Sequence, residues 1–119
     1  MSTMVPSEHP PIDLGALRVM LGGVENLVSM ILDKLRAEIL GDIEQLKSLQ
    51  AGEQAEPIRA LAHRLKGTCG NAQATELSEI AKLLQFAMAA GELDQAAGLI
   101  KALDAERVAL EHYVAEQGY

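Results

Sequence analysis

VENLVSMILDKLRAEILGDIEQLKSL, residues 24–49, carries apolar residues spaced three or four apart along its whole length. This spacing places them on one face of an α-helix. At about 1.5 Å of rise per residue, such a helix extends roughly 40 Å. The predicted face consists of Val24, Leu27, Val28, Ile31, Leu35, Ile39, Ile43, Leu46 and Leu49. The stretch therefore predicts one long amphipathic helix, which ends at Ala51-Gly52.

Shorter apolar repeats lie on both sides of this helix. A short one over residues 12–21 ends at two glycines, and three others cover residues 58–69, 77–88 and 93–114. The loops between them are only a few residues long, which makes consecutive helices antiparallel neighbours. The sequence thus predicts an all-α fold, an antiparallel up-down four-helix bundle with a short N-terminal capping helix.

The length of 119 residues fits one domain. Residues 1–11 contain three prolines and no apolar period, so we expect a flexible N-terminal tail, followed by a single domain over residues 12–119. Met20, Met30 and Met88 are expected to fill the core.

Composition restricts the classes of function. The single cysteine, Cys69, excludes an internal disulfide and fits a reducing compartment. No signal peptide and no run of 18 apolar residues is present, which predicts a cytoplasmic protein with no membrane contact. The net charge of −7 argues against nucleic-acid binding. We also expect a monomer.

Residues 62–73, AHRLKGTCGNAQ, place two glycines inside the third predicted helix. Each costs a helix interior about 1 kcal/mol relative to alanine. His63 lies nearly opposite the apolar stripe, and Lys66, Gly67 and Gly70 follow it on the same outward face. Exposed glycines leave the backbone bare, so another protein could approach the imidazole closely.

The same segment is locally basic. No acidic residue occurs between Glu56 and Glu76, whereas Arg59 and Arg64 lie within this interval. An imidazole with a pKa near 6.5 is a usable nucleophile at neutral pH. The three histidines fall in three separate segments, so no metal site is expected. The absence of a G-x-x-x-x-G-K-[ST] loop argues against ATP binding.

The stretch AHRLKGTCGNAQATEL resembles the signature of histidine phosphotransfer (HPt) domains, and the resemblance covers most of the chain. It implies a four-helix bundle that accepts a phosphoryl group on His63 from a receiver-domain phospho-aspartate and passes it to another receiver. Lys66 would then stabilise the phosphoryl group, and Gly67 and Gly70 would admit the receiver. The implied partners are response-regulator receivers, a hybrid sensor histidine kinase, or both.

The resemblance also implies roles for residues outside the central motif. Gln85, on the next helix, would orient the imidazole, and Arg59 and Arg64 would contribute to docking. No cofactor is expected on this chain, because Mg²⁺ would be bound by the receiver. The protein would be a phosphoryl carrier without autonomous kinase activity. Gln73 stands where many members have glycine, so we expect an altered loop geometry there.

Two other classes of function stay open at this point. A helical adaptor module could bind a receiver without accepting phosphate, and a structural dimerisation bundle could carry the motif by coincidence. The sequence also leaves open whether the domain acts alone or belongs to a hybrid kinase. Neither the partner receivers nor the direction of phosphate flow can be read from it.

Overall fold

The structure, a computed structural model, describes residues 10–119, and these residues form helices and no strands. Most of the predicted tail, residues 1–9, lies outside the described part. The helices are α1 (Leu14–Met20), α2 (Glu25–Ala51), α3 (Ala55–Asn71), α4 (Thr75–Ala89) and α5 (Ala96–Glu116), with a 3-10 turn at Leu93–Gln95 before α5. The prediction of an all-α fold is confirmed.

The four long helices form a closed ring of neighbours. Helix α2 packs against α3 and α5, and α4 packs against the same two helices. Helix α1 crosses the bundle at 119° to α2. It is attached by the Asp13 backbone N–H, which donates to the carbonyl of Gln73 over 3.0 Å. The Asp13 carboxylate also accepts from the N–H of Ala16 at the start of α1. The predicted bundle and its capping helix are both confirmed.

The core is almost entirely aliphatic. Its largest fully buried side chains come from every long helix and from the chain around α1: Ile12, Leu17, Leu32, Ile39, Ile43, Leu46, Ile58, Leu65, Leu77, Leu84, Leu103 and Leu110. Burying one such side chain contributes about 1.5–3 kcal/mol. Cys69 is buried in this core as predicted.

Four residues expected in the core or on the face that packs against it are exposed instead. Met20 and Met30 have 55% and 65% of their surface exposed, and Val24 and Leu27 have 48% and 41%, whereas Met88 is buried. Met30 lies two residues beyond the buried Val28, which is more than half a turn around the helix. Met20 ends a helix of 7 residues in which only Leu14 and Leu17 are buried.

Every α-helix is followed, within three residues of its last residue, by a residue with a positive φ, that is, a left-handed backbone. In α1, α4 and α5 this residue is a glycine, but in α2 and α3 it is Glu53 (φ 53°) and Gln73 (φ 69°). At the end of α3 the N–H of Ala74 donates to the carbonyl of Cys69, and that of Gln73 to the carbonyl of Gly70. This pair of bonds closes a helix end.

An altered loop geometry at Gln73 relative to the family stays a prediction. The loop keeps the left-handed geometry that a glycine would adopt, and the glutamine carries the steric cost of its Cβ. Its side-chain amide contacts the sulfur of Met20 at 3.3 Å, so the residue also joins the end of α3 to α1.

Within the described residues, no single helix is long and apolar enough to span a membrane. Helices α1 and α2 have the necessary length and apolar composition only when they are counted together, and the chain bends by 119° between them.

Candidate functional site

Helix α3 has one buried and one exposed face, and the exposed face carries the residues that the sequence singled out. Leu61, Leu65 and Cys69 are buried against the bundle, while His63 and Gly67 are exposed. One turn of helix separates His63 from Gly67, so the imidazole and the bare backbone share one side of α3. The structure brings these residues together as the periodicity predicted.

Gly67 leaves open space in front of α3. A Cβ atom added at this position would meet no other atom within 4 Å. The glycine thus serves no packing contact inside the bundle. Lys66 lies beside it, and none of the ion pairs formed within residues 10–119 includes this lysine. An unpaired ammonium group close to His63 is available to an anion brought by a partner.

Gly70 has a packing reason that the sequence did not reveal. An added Cβ would lie 3.2 Å from the Ser78 hydroxyl oxygen, which is tighter than most such contacts. That hydroxyl donates a hydrogen bond to the backbone carbonyl of Lys66 over 2.9 Å. Glycine at this position lets α4 approach the turn of α3 that carries Lys66. Ser78 therefore supports the site from the neighbouring helix, although no motif singled it out.

The two arginines of the basic segment are both engaged in ion pairs. Arg59 is held by Glu56 one turn earlier, with Nη2 2.6 Å from the carboxylate. Arg64 reaches across to α2, where its Nη2 lies 2.6 Å from Oδ1 of Asp42. The interval without acidic residues is thus less positive than the sequence suggests, because its neighbours supply the carboxylates.

Asp42 is a residue beside the site that sequence reasoning did not single out. The residue as a whole, backbone included, has 5% of its surface exposed. It is the only buried charged or polar residue in the part of the chain that the structure describes. A signal was available, because Asp42 lies three residues after Ile39 and four before Leu46, on the apolar stripe of α2. A carboxylate in a core position indicates a specific partner.

Gln85 lies half-buried on α4, and its side-chain oxygen Oε1 is buried without a hydrogen-bond partner within residues 10–119. The structure forms no hydrogen bond between this amide and His63. The amide oxygen therefore has unused bonding capacity, which is uncommon for a buried polar atom.

A groove of about 300 Å³ lies next to the exposed face of α3. Its walls come from α1, α2 and the last two turns of α3, and are formed by Leu17, Met20, Leu21, Ile31, Lys34, Leu35, Glu38, Thr68, Asn71 and Ala72. Five large apolar side chains in or next to α1 and the start of α2 are exposed: Val19, Met20, Val24, Leu27 and Met30. Met20 also lines the groove, and exposed apolar side chains beside a groove are typical of protein contacts.

Within residues 10–119, the other histidine and the cysteine do not form a second site. His112 is exposed on α5, and Cys69 is enclosed in the core. Among the residues that the structure describes, no group of three His, Cys, Asp or Glu side chains could hold a metal ion.

Comparison with known proteins agrees with the geometry. The family model of the Hpt domain matches residues 30–115, which cover α2 from its second turn to the end of α5 except for one residue. No curated protein matches the chain in sequence.

A solved structure resembles the whole fold. It is the crystal structure of histidine-containing phosphotransfer protein B (HptB) from Pseudomonas aeruginosa PAO1, which is 25% identical and superposes with a TM-score of 0.82. The match covers 92% of this chain and 97% of that chain. Proteins of this kind carry phosphoryl groups between the receiver domains and histidine kinases of two-component relays. The chain belongs to the Hpt-domain family and is a histidine phosphotransfer protein of a phosphorelay.

Proposed function

We propose that His63 is the residue that carries the phosphoryl group in this relay. The observation that supports this most directly is the exposed imidazole on α3 with Gly67 one turn away, where nothing stands within 4 Å of an added Cβ. His112 is also exposed, but it lies on α5 between acidic residues Glu111 and Glu116. A negatively charged donor would be repelled there.

The proposed reaction transfers a phosphoryl group from an aspartyl phosphate to the ring of His63. A ring nitrogen with a free electron pair forms the N–P bond while the bond between phosphorus and the aspartate oxygen breaks. The electron pair of that bond leaves with the carboxylate, and the other ring nitrogen keeps its proton. Charge spreads over the equatorial oxygens of the phosphoryl group in a loose transition state. Transfer to the next receiver is the reverse reaction.

Lys66 is the cation we assign to the phosphoryl group. It follows His63 by three residues on the same side of α3, and its ammonium group is not used in an ion pair of residues 10–119. The buried oxygen of Gln85 could accept the ring N–H and so fix the orientation of the imidazole. The structure does not contain this bond, so forming it requires a movement of one of the two side chains.

The receiver is proposed to cover the exposed face of α3 and the groove beside it. Bare backbone at Gly67 allows its active site to reach His63, and the apolar side chains around Met20 and Met30 provide a contact surface. The receiver would bring Mg²⁺, and this chain would bring the nucleophile and the surface, without a cofactor or kinase activity of its own. We further propose a cytoplasmic monomer that binds neither membranes nor nucleic acid, in line with its charge of −7.

Replacement of His63 by glutamine tests the assignment. Wild type, His63→Gln and His112→Gln are incubated with a panel of receiver domains that have been phosphorylated with acetyl phosphate and labelled with ³²P. We expect base-stable, acid-labile label on the wild type and on His112→Gln, and none on His63→Gln, because, of the two described histidines, only His63 lies beside the bare backbone of a glycine and away from acidic neighbours.

Two results would contradict the assignment. Label retained by His63→Gln would place the acceptor elsewhere on the chain. Binding of a phosphorylated receiver without any label on the wild type would support the adaptor alternative, which family membership does not favour. Circular dichroism of each variant checks that the helical bundle is intact.

A further inference from the structure

Asp42 is out of place for a residue with only a structural role. Its carboxylate lies in the seam between α2 and α3, where every other buried residue of the described chain is apolar. Removing a carboxylate from water costs several kcal/mol even after the protein relaxes. An apolar side chain of similar volume at such a position is often neutral or stabilising. Stability alone therefore does not explain the aspartate.

The bond to Arg64 is short and directional. Nη2 of Arg64 lies 2.6 Å from Oδ1 of Asp42, and the two side chains differ greatly in exposure, at 60% and 8%. The carboxylate is thus fixed inside the seam, while most of the guanidinium remains in solvent. A guanidinium carries five N–H donors in a planar group, so a single bond leaves others free to bind a partner.

The ion pair between Asp42 and Arg64 matters for the site because Arg64 follows His63 directly in α3. Consecutive helical residues are separated by about 100°, so Arg64 lies on the α2 side of His63. Lys66 lies about 60° from His63 in the opposite direction, on the side of α4, where Ser78 bonds its carbonyl. Residues with cationic side chains therefore flank His63 on both sides along α3.

The three cations around His63 are held in different ways. Lys66 has no partner in the described chain, and Arg59 is bound by Glu56, whose side chain is 72% exposed and lies on the same helix. Only Arg64 is anchored to a buried group on a different helix. Its orientation is therefore set by the packing of α2 against α3, and not by a mobile surface side chain.

We propose that Asp42 is a positioning residue that holds the Arg64 guanidinium beside His63, where it binds a carboxylate at the rim of the phosphorylated receiver's active site. This inference rests on the proposed function of His63. Fixing the guanidinium before the receiver arrives reduces the side-chain entropy lost on docking. Oδ2 of Asp42, buried without a partner in the described chain, is a cost of the arrangement that an apolar residue would avoid.

Asp42→Leu separates positioning from stability. It removes the buried carboxylate and leaves Arg64 free in solvent, so we expect a free energy of unfolding equal to or above that of the wild type. Transfer from the phosphorylated receiver should weaken nonetheless. We expect the receiver concentration at half-maximal rate to rise about five- to tenfold, with the rate at saturation within about twofold of wild type.

The matched control is Glu111→Gln. It releases Arg36, which Glu111 binds over 2.9 Å in the seam between α2 and α5, away from α3. This variant should transfer phosphate at the wild-type rate and with the wild-type concentration dependence. The double variant Asp42→Leu/Arg64→Gln should transfer no worse than Arg64→Gln alone. Both changes disrupt the same interaction, so the second change has no additional effect.

A small donor separates this inference from the assignment of His63. Phosphoramidate phosphorylates histidine without protein docking, so Asp42→Leu should take up its phosphoryl group at the wild-type rate. If the wild type is not labelled on His63 by any donor, the proposed function fails. If the wild type is labelled but Asp42→Leu keeps the wild-type concentration dependence, or loses stability and transfer together, the positioning role is refuted.

Discussion

The thiol of Cys69 lies on the buried face of α3, one and a half turns beyond His63. Burial, together with the smaller effect of the nearby carboxylates of Asp42 and Glu38, raises its pKa to about 12. A thiol with so high a pKa remains protonated at neutral pH, and only the thiolate is a strong nucleophile. Cys69 is therefore an apolar packing residue in the folded protein.

The raised pKa of Cys69 predicts a pH dependence of stability. The thiol has a pKa near 9.0 in its ordinary environment and about 12 in the fold. Between these values the unfolded chain loses the proton while the folded chain keeps it, so rising pH favours unfolding. The loss approaches about 1.4 kcal/mol per pH unit. Below pH 9 the contribution is fully present.

Urea unfolding of the wild type and Cys69→Ala at pH 8, 9 and 10 measures this effect. The free energy of unfolding of the wild type should fall more steeply with pH than that of the variant. Tyrosines and lysines titrate in both proteins alike, so the difference isolates the thiol. Parallel curves would mean that the thiol ionises as readily in the fold as in the unfolded chain.

Single residues differ in how far the sequence could predict them. The exposure of His63 and Gly67 follows from the helical period, because both lie opposite the stripe that ends at Cys69. The pairing of Arg64 with Asp42 could not be predicted in this way. It depends on the register of α2 against α3, which a pattern within one helix does not contain.

Among the helix termini, the end of α3 carries strain at Gln73. A side chain in the left-handed region costs about 1–2 kcal/mol relative to a right-handed residue, because Cβ approaches the following carbonyl oxygen. Glycine has no Cβ and would keep both closing hydrogen bonds, to Gly70 and Cys69. Part of the gain is offset by the greater freedom of glycine in the unfolded chain.

Gln73→Gly should therefore raise the free energy of unfolding by about 0.5–1 kcal/mol. Thermal and urea unfolding measure the change. Gln117→Gly is the matched control, since this exposed glutamine also follows a helix but has a φ of −84°, so glycine has no left-handed strain to relieve there. A loss of stability in Gln73→Gly would show that the contact of its amide with Met20 outweighs the backbone strain.

The helices themselves were predicted with good accuracy, because their apolar residues repeat over many turns. The residues at which the helices end were harder to predict from the sequence. The sequence indicated Gly52 as the end of α2, but the left-handed residue is Glu53, whose identity gives no such signal. Methionines at positions 20 and 30 were misplaced because apolar character alone does not specify a core position.

At the scale of the whole molecule, the proposed docking side of the bundle is the one that carries the exposed face of α3. The groove beside this face is lined by residues of α1, α2 and α3, and exposed apolar side chains occur on α1 and early α2. Helix α5 lies across the ring from α3, because both pack against α2 and α4. A change on α5 should therefore leave docking intact, while the same change on α3 should prevent it.

Gly67→Leu and Gly98→Leu form such a pair. Both glycines are exposed helical positions at which an added Cβ meets nothing within 4 Å, Gly67 on α3 and Gly98 on α5. Leucine has the higher helix propensity, so both variants should be as stable as the wild type or more stable, by up to about 0.8 kcal/mol. Only Gly67→Leu should lose transfer from a phosphorylated receiver, because its side chain fills the space in front of His63.

Stopped-flow or quenched transfer assays beside thermal unfolding measure both properties of this pair. Gly67→Leu should still be phosphorylated by phosphoramidate, which is small enough to pass the leucine and reach the imidazole. A wild-type rate of transfer in Gly67→Leu would mean that the receiver approaches His63 from another side. Loss of transfer in both variants would mean that leucine disturbs the bundle as a whole. The selective loss is what a bare backbone beside His63 predicts, since Gly98 is equally free of contacts within the fold but lies on a different helix from the imidazole.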